Sequence, residues 1–125
     1  MKESNDNPYE ALENIFHEPN RLAIMSALCA ADKGLTFVQL KDQCNLTDGN
    51  LNRHLKALEE ADAIRIEKTF VAMKPRTTVL LSKKGLQRFT EYLAALTAVL
   101  KKAKAAIPEE KKARLPSGLA RTATA

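Results

Sequence analysis

Apolar positions recur at helical spacing in five stretches of the chain and at strand spacing in two. Tyr9, Leu12 and Phe16 predict a short amphipathic helix over residues 8–16, with Pro8 in its first turn. Two adjacent rows, Leu22, Met25 and Cys29, then Ile24, Leu28 and Ala31, predict a helix over about 20–31. Its apolar face is broad enough for the centre of a small core, and Cys29 and Cys44 are expected as buried thiols. Gly34 ends that helix and Leu35 begins a short strand. Thr36 with Gln39 three residues on has capping-box spacing and opens a helix that stops near Asn45. After Leu46, Thr47 caps a helix over about 47–61, with Asp48 favourable to the dipole of its first turn. Leu51, Leu55 and Leu58 form the apolar row of that helix, and its other side shows Asn50, Asn52, Arg53 and Lys56. Two helices joined by so short a turn make a helix-turn-helix.

Beyond Asp62 the period changes to two. Ile64, Ile66 and Lys68 alternate with Arg65, Glu67 and Thr69, and residues 77–81 are rich in β-branched and apolar side chains. With residues 71–76 as the loop, the segment over about 64–82 reads as a hairpin, hence a wing. Ser82 caps a last helix over about 83–107, whose apolar residues Leu86, Phe89, Leu93, Leu96, Leu100, Ala103 and Ile107 keep a strict alternation of three and four. At ~1.5 Å per residue this helix is about 38 Å long, more than a core of roughly 60 residues can cover. Its outer half is therefore expected to pair with a second copy, through Leu12, Phe16, Phe89, Tyr92, Leu93, Leu96, Val99 and Leu100. The fold class is mainly α with a small β-hairpin (α+β): a winged helix-turn-helix with an N-terminal helix and a long C-terminal dimerisation helix. Residues 1–7 are expected to be disordered, 8–107 to form the one domain, and 108–125 to be a flexible basic tail.

Composition narrows the function. The chain has 125 residues, 45% of them hydrophobic and 28% charged, in the range of one globular domain. It has no apolar run of the ~18 residues that a membrane-spanning helix needs. The first six residues are polar and acidic, unlike a signal peptide, and two cysteines make no disulfide framework, so the cytoplasm is the expected compartment. The net charge is +5, unevenly distributed. Residues 1–19 carry −4 and 20–62 carry −1, whereas 63–90 carry +6 from Arg65, Lys68, Lys74, Arg76, Lys83, Lys84 and Arg88 against Glu67. Basic charge concentrated on one element is the usual footprint of phosphate binding.

The polar face of the 47–61 helix has side chains suited to base edges. Asn50 and Asn52 match adenine and Arg53 matches guanine. Thr47, Lys56, Lys68, Lys74, Arg76 and Thr77 are the candidates for phosphate. Asp48 would repel phosphate and is assigned to the helix terminus, with a cytosine amino group as the alternative. His54 lies at the edge of the leucine row and either packs with an internal hydrogen bond or touches DNA; His17 lies between two helices. No metal is expected, because the chain has neither Cys-x-Cys nor Cys-x-x-Cys nor a spaced histidine pair. No cofactor is assigned and an effector stays unknown. An enzyme is excluded by the absence of a Gly-rich phosphate loop, a nucleophile elbow and a carboxylate pair with a histidine partner.

The stretch Leu46-Thr-Asp-Gly-Asn-Leu-Asn-Arg-His-Leu-Lys-Ala-Leu-Glu-Glu-Ala61 resembles the recognition-helix region of winged helix-turn-helix regulators of the MarR/ArsR-like group. The likeness continues through Lys68-Thr-Phe70, Lys74-Pro-Arg-Thr77 and Leu81-Ser-Lys-Lys-Gly-Leu-Gln-Arg-Phe89. It implies a homodimer whose recognition helices enter successive major grooves of double-stranded DNA while the wings touch the backbone. Two departures stand out: Asp62 where the group usually has Gly, and Val71-Ala72-Met73 where the wing tip often has Gly. The function expected is a sequence-specific, dimeric transcriptional regulator. The alternative is a winged-helix protein-interaction module that has lost specific DNA readout.

Overall fold

The structure, a computed structural model, describes residue 12 and residues 14–112. Its elements in chain order are α1 (Pro19–Cys29), β1 (Leu35–Thr36), α2 (Phe37–Cys44), α3 (Asp48–Glu60), β2 (Ile64–Val71), β3 (Lys74–Leu81), α4 (Lys83–Ala106) and the short α5 (Glu109–Lys112). The three strands form one antiparallel sheet in the order β1-β3-β2.

Caps set the helix starts. Pro19 occupies the first turn of α1, where its missing N–H costs nothing, and the Arg21 N–H donates to the Glu18 carboxylate at 2.8 Å. At α2 the reciprocal pair expected from the sequence is present: Gln39 N–H donates to Thr36 Oγ1 at 3.1 Å, and Thr36 N–H donates to Gln39 Oε1 at 2.9 Å. Asn45 closes α2 in the left-handed conformation (φ 56°), and Thr47 Oγ1 accepts from the Asn50 N–H at 3.2 Å to start α3. Only two residues separate that left-handed cap from the next helix, which makes the helix-turn-helix connection tight.

The core gathers Ile24, Met25 and Leu28 of α1, Leu40 of α2, Leu51, Leu55 and Leu58 of α3, Ile64 and Val79 of the sheet, and Phe89 and Tyr92 of α4. Phe16, just ahead of α1, is fully buried against the last two, its ring 5.4 Å from Phe89 edge-on and 5.8 Å from Tyr92. Phe16, Phe89 and Tyr92 thus belong to the protein's own core and are not dimer-interface residues. The seam periodicity is real, but one side of it faces inward. Leu12 and Leu96 are also packed against the core and only partly accessible.

The base of α4 is seated on the end of α3. Asp62 adopts φ 62°, in the left-handed region, and its carbonyl accepts from Ser82 Oγ at 2.7 Å. The same Ser82 oxygen accepts from the Gly85 N–H at 2.8 Å, and Arg88 Nη1 donates to the Ala61 carbonyl at 2.6 Å. A Cβ on Gly85 would lie 1.9 Å from the Ala63 carbonyl oxygen, so the two backbones touch and no side chain fits between them.

Four further expectations are corrected. Residues 14–16 form a turn and not the end of a helix over 8–16; apart from Leu12, the rest of that stretch, like residues 1–7, lies outside the described residues. The hairpin loop is two residues and not six. β2 and β3 stay paired to Val71↔Lys74, and the turn is Ala72-Met73, both at positive φ (53° and 67°). Pro75 read as loop, yet it pairs with Phe70 within the ladder. It is tolerated because β1 reaches only Thr78 and Val79, leaving β3 an edge at Pro75. Cys29 is exposed, being the last residue of α1 and past the turn that meets the core, while Cys44 is half-buried; burial pushes both thiols up from their ordinary pKa. Finally, residues 109–112 of the supposed tail are helical, since Pro108 accepts from the Lys111 N–H at 3.0 Å and Glu109 and Glu110 suit the first turn. Residues 113–125 lie outside the described residues.

Two glycines give opposite expectations. Gly85→Ala should lower the stability measured by urea unfolding by about 3 kcal/mol, the upper range for forcing atoms into a packed interior. Gly49, in α3, has nothing within 4 Å of an added Cβ. Gly49→Ala should therefore raise stability, by about 0.5–1 kcal/mol.

Candidate nucleic-acid interface

α3 divides by burial into two faces. Leu51, His54, Leu55 and Leu58 are buried, whereas Asn50, Asn52, Arg53 and Lys56 are exposed. The exposed set shares one side of the helix over its first two turns, the part that a helix in a major groove presents to base edges. Arg53 Nη2 donates to Asn50 Oδ1 at 3.4 Å, a long bond that holds the guanidinium beside the amide. Thr47 is exposed at the N-cap, with its hydroxyl engaged in capping.

Asp48 stands in the first turn of α3, where its charge suits the helix dipole, and it has a partner there. Lys41 Nζ of α2 lies 2.9 Å from Asp48 Oδ1 and bridges the two helices across their turn. The hydrogen bond and charge of Asp48 raise the Lys41 pKa, so the pair offsets an acidic group at the front of α3. Sequence reasoning missed this pair, although opposite charges flanking a very short turn are a visible signal for it.

His54 is buried within α3 and joins it to α1. Arg21 Nε donates to His54 Nδ1 at 3.1 Å, and Glu18 Oε2 stands 3.9 Å from Nε2, which has no hydrogen-bond partner among the described residues. An accepting Nδ1 places the single proton of the neutral ring on Nε2. Burial lowers the imidazole pKa from its ordinary value near 6.5; Glu18 acts in the opposite direction, and Arg53 and Arg21 add to the lowering. Of the two readings of His54, the internal one holds. His17 is exposed, with Nδ1 2.9 Å from the Tyr92 hydroxyl.

The wing separates its cations. Cross-strand partners share a face of a two-stranded ribbon. Lys68 pairs with Thr77, Thr69 with Arg76, and Val71 with Lys74. Lys74 and Arg76 therefore project from one face, and Lys68 and Thr77 from the other. Lys68, Lys74 and Arg76 are exposed and Thr77 is half-buried. Arg76 and Thr77 also line a shallow cleft with Thr36, Phe37, Val38 and Pro75, where the start of α2 meets β3. The hairpin's outer part is bare on both faces, with Phe70 74% and Met73 94% exposed. The sequence reading registered those tip residues only as replacements for Gly.

On α4, Leu86, Leu93 and Leu100 are all exposed and recur every seven residues, and Ile107, the extended residue just past the helix, is exposed as well. Val99 is half-buried beside them. Of the residues expected at a dimer interface, Leu93, Val99 and Leu100 remain accessible for one. Among the described residues no group of three or more His, Cys, Asp or Glu side chains is placed to hold a metal ion, and no helix is long and apolar enough to cross a membrane.

Residues 20–100 match the family described as a winged helix DNA-binding domain. The chain is 34% identical over 79 residues to an uncharacterized protein of Methanocaldococcus jannaschii, covering 63% of this chain and 85% of that one. It is similar in structure to the transcriptional regulator homologue protein of Pyrococcus horikoshii OT3, with a TM-score of 0.71 and 29% identity over 78% of this chain and 97% of that chain. It shares its fold with a transcriptional regulator of the MarR family from Rhodococcus sp. RHA1, with a TM-score of 0.61 and 13% identity over 90% of this chain and 79% of the other.

The lowered pKa of His54 has a signed consequence for stability. A ring that is harder to protonate when folded leaves the unfolded chain binding more protons, so stability falls as pH drops through about 6.5 toward the folded value. The melting temperature should decrease between pH 7.5 and 5.5, and His54→Leu should flatten that slope even where its own melting temperature is lower. An unchanged slope in His54→Leu would assign the pH dependence to other groups.

Proposed function

Since the chain belongs to the winged helix DNA-binding domain family, we propose that it is a MarR-like transcriptional regulator that acts as a homodimer reading a specific double-stranded site. The observation that carries the reading is the partition of α3. Its leucines and His54 are consumed by the core, which leaves Asn50, Asn52 and Arg53 presented together with no fold-stabilising burial of their own. Asn50 and Asn52 are assigned to adenine edges and Arg53 to guanine in the major groove. Thr47, Lys56, Lys68, Lys74, Arg76 and Thr77 are assigned to phosphate, where they set position without reading sequence. The partition of wing cations between two faces suits a ribbon that stands edge-on between two phosphate chains.

The second copy is assigned to the exposed α4 stripe. Leu86, Leu93 and Leu100 repeat at the heptad interval of helices that pair along their length, and Leu93 and Leu100 form its centre, with half-buried Val99 preceding Leu100 in the chain. A dimer built on α4 brings two α3 helices to half-sites one helical turn apart, ~34–36 Å.

Selection of bound duplexes from a random pool tests the whole reading; a two-fold symmetric motif with that spacing is expected. Arg53→Ala should cost about 1–3 kcal/mol at one guanine position and leave other positions unaffected. Lys74→Ala should weaken every sequence alike. With Lys56, Lys68, Lys74 and Arg76 on phosphate in each subunit, log K against log salt should have a slope of about −7, and Lys74→Ala should remove about 2 of it in the dimer. Leu93→Glu with Leu100→Glu should give monomers in sedimentation and abolish selection of the paired site. Absence of duplex binding at low salt, or binding indifferent to salt, overturns the reading.

A further inference from the structure

We propose that the tip of the β2–β3 hairpin is an apolar wedge: Met73 enters the minor groove at a base step and bends the duplex. The inference rests on the DNA-binding reading above and adds to it a contact that α3 and the wing cations do not make. It starts from side chains that do nothing for the fold. Met73 is 94% exposed and Phe70 74%, so neither gains burial in the protein. The turn does not require Met73 either. Ala72 and Met73 both lie in the left-handed region, at φ 53° and 67°, where an L side chain costs roughly 1–2 kcal/mol. Asn-Gly makes the same two-residue turn without that cost. Met73 is thus held at the end of a rigid eight-pair ladder, strained and apolar, in water.

Charge identifies what covers it. Residues 68–90 contain no Asp or Glu, while Lys68, Lys74 and Arg76 flank the tip on both faces. An apolar point ringed by cations, with no acid nearby, complements a groove walled by phosphates. Geometry then selects the mode. Two strands ~4.8 Å apart with their side chains are wider than the ~6 Å minor groove, so only the turn enters an undistorted duplex. Seating Met73 against the base edges requires the groove to open. Apolar side chains that part a base step open the minor groove in this way and bend the helix axis toward the major groove. The bend in turn brings the flanking phosphates toward Lys74 and Arg76.

The test uses the full chain on its selected duplex, with dyes at the two ends to report the bend and 2-aminopurine at steps outside the α3 half-sites to report unstacking. The variant is Ala72→Asn with Met73→Gly, which keeps charge and register and favours the turn, so its melting temperature should equal or exceed that of the parent. The parent should bend the duplex by about 20–90° and brighten the 2-aminopurine. The double variant should bind about tenfold more weakly, with the bend and the brightening lost and the salt slope unchanged; Met73→Leu should retain both signals. A parent that binds with the expected salt slope but leaves the duplex straight overturns the wedge alone. So does a double variant that bends DNA as the parent does, which would leave the apolar tip to a protein partner or a membrane surface. A parent that binds no duplex overturns the DNA-binding reading itself.

Discussion

The close approach of Gly85 to the Ala63 carbonyl is the contact on which the arrangement of the other elements depends. There the backbone of α4 rests on the backbone that leaves α3, and the carbonyls of Ala61 and Asp62 receive Arg88 and Ser82. Contact between main chains has no rotamers to exchange, so the angle between the two helices is stiffer than one set by interdigitating side chains. Leu86, the first residue of the exposed stripe, directly follows Gly85. The surface proposed to meet a second copy and the helix proposed to read DNA are therefore parts of one rigid piece. In a dimer, the separation of the two reading helices would be set by how α4 pairs.

The opposite side of α3 is held by polar contacts. Arg21 donates to a buried ring of α3, Glu18 stands near that ring, and Lys41 reaches Asp48 from α2. A buried imidazole is an unusual choice for a leucine-lined face, because it accepts a desolvation penalty that a leucine would not. What it gives in exchange is direction. A hydrogen bond from Arg21 fixes the rotation of α3 about its own axis more sharply than apolar packing does. That rotation decides whether Asn50, Asn52 and Arg53 point outward together. On the same reasoning, Phe16 is the apolar counterpart at the other end of the core, since its ring contacts Phe89 and Tyr92 and carries the Arg88 guanidinium 5.5 Å above it.

Much of this was legible in the residues. Thr36 with Gln39, Thr47 and Ser82 mark helix starts because side-chain caps are local chemistry, and the leucine row of α3 fixes which side faces out. Asp62 was marked only through the resemblance, which puts Gly at that place. Contacts between elements left weaker marks. Nothing near Arg21 points to His54, which is 33 residues away. Phe89 and Tyr92 lie in the same periodic pattern as Leu93 and Leu100, and periodicity alone does not tell a helix's own core from a partner's. The turn at Ala72-Met73 escaped because neither residue is Gly or Asn, and Pro75 is ordinarily a mark of loop. Its place in a strand depends on where β1 ends, which is a property of the sheet and not of the local sequence.

The two-residue turn also limits how this wing can change in evolution or by design. Because successive side chains of a strand alternate between faces, inserting or deleting one residue beside Ala72-Met73 would exchange the faces of everything beyond it. Lys74 and Arg76 would move to the side now held by Lys68 and Thr77, without any change in composition. A wing of this kind can lengthen or shorten without exchanging its faces only by two residues on each strand at a time. Its reach along a partner is thereby quantised in steps of about 6.6 Å if chemistry per face is to be kept.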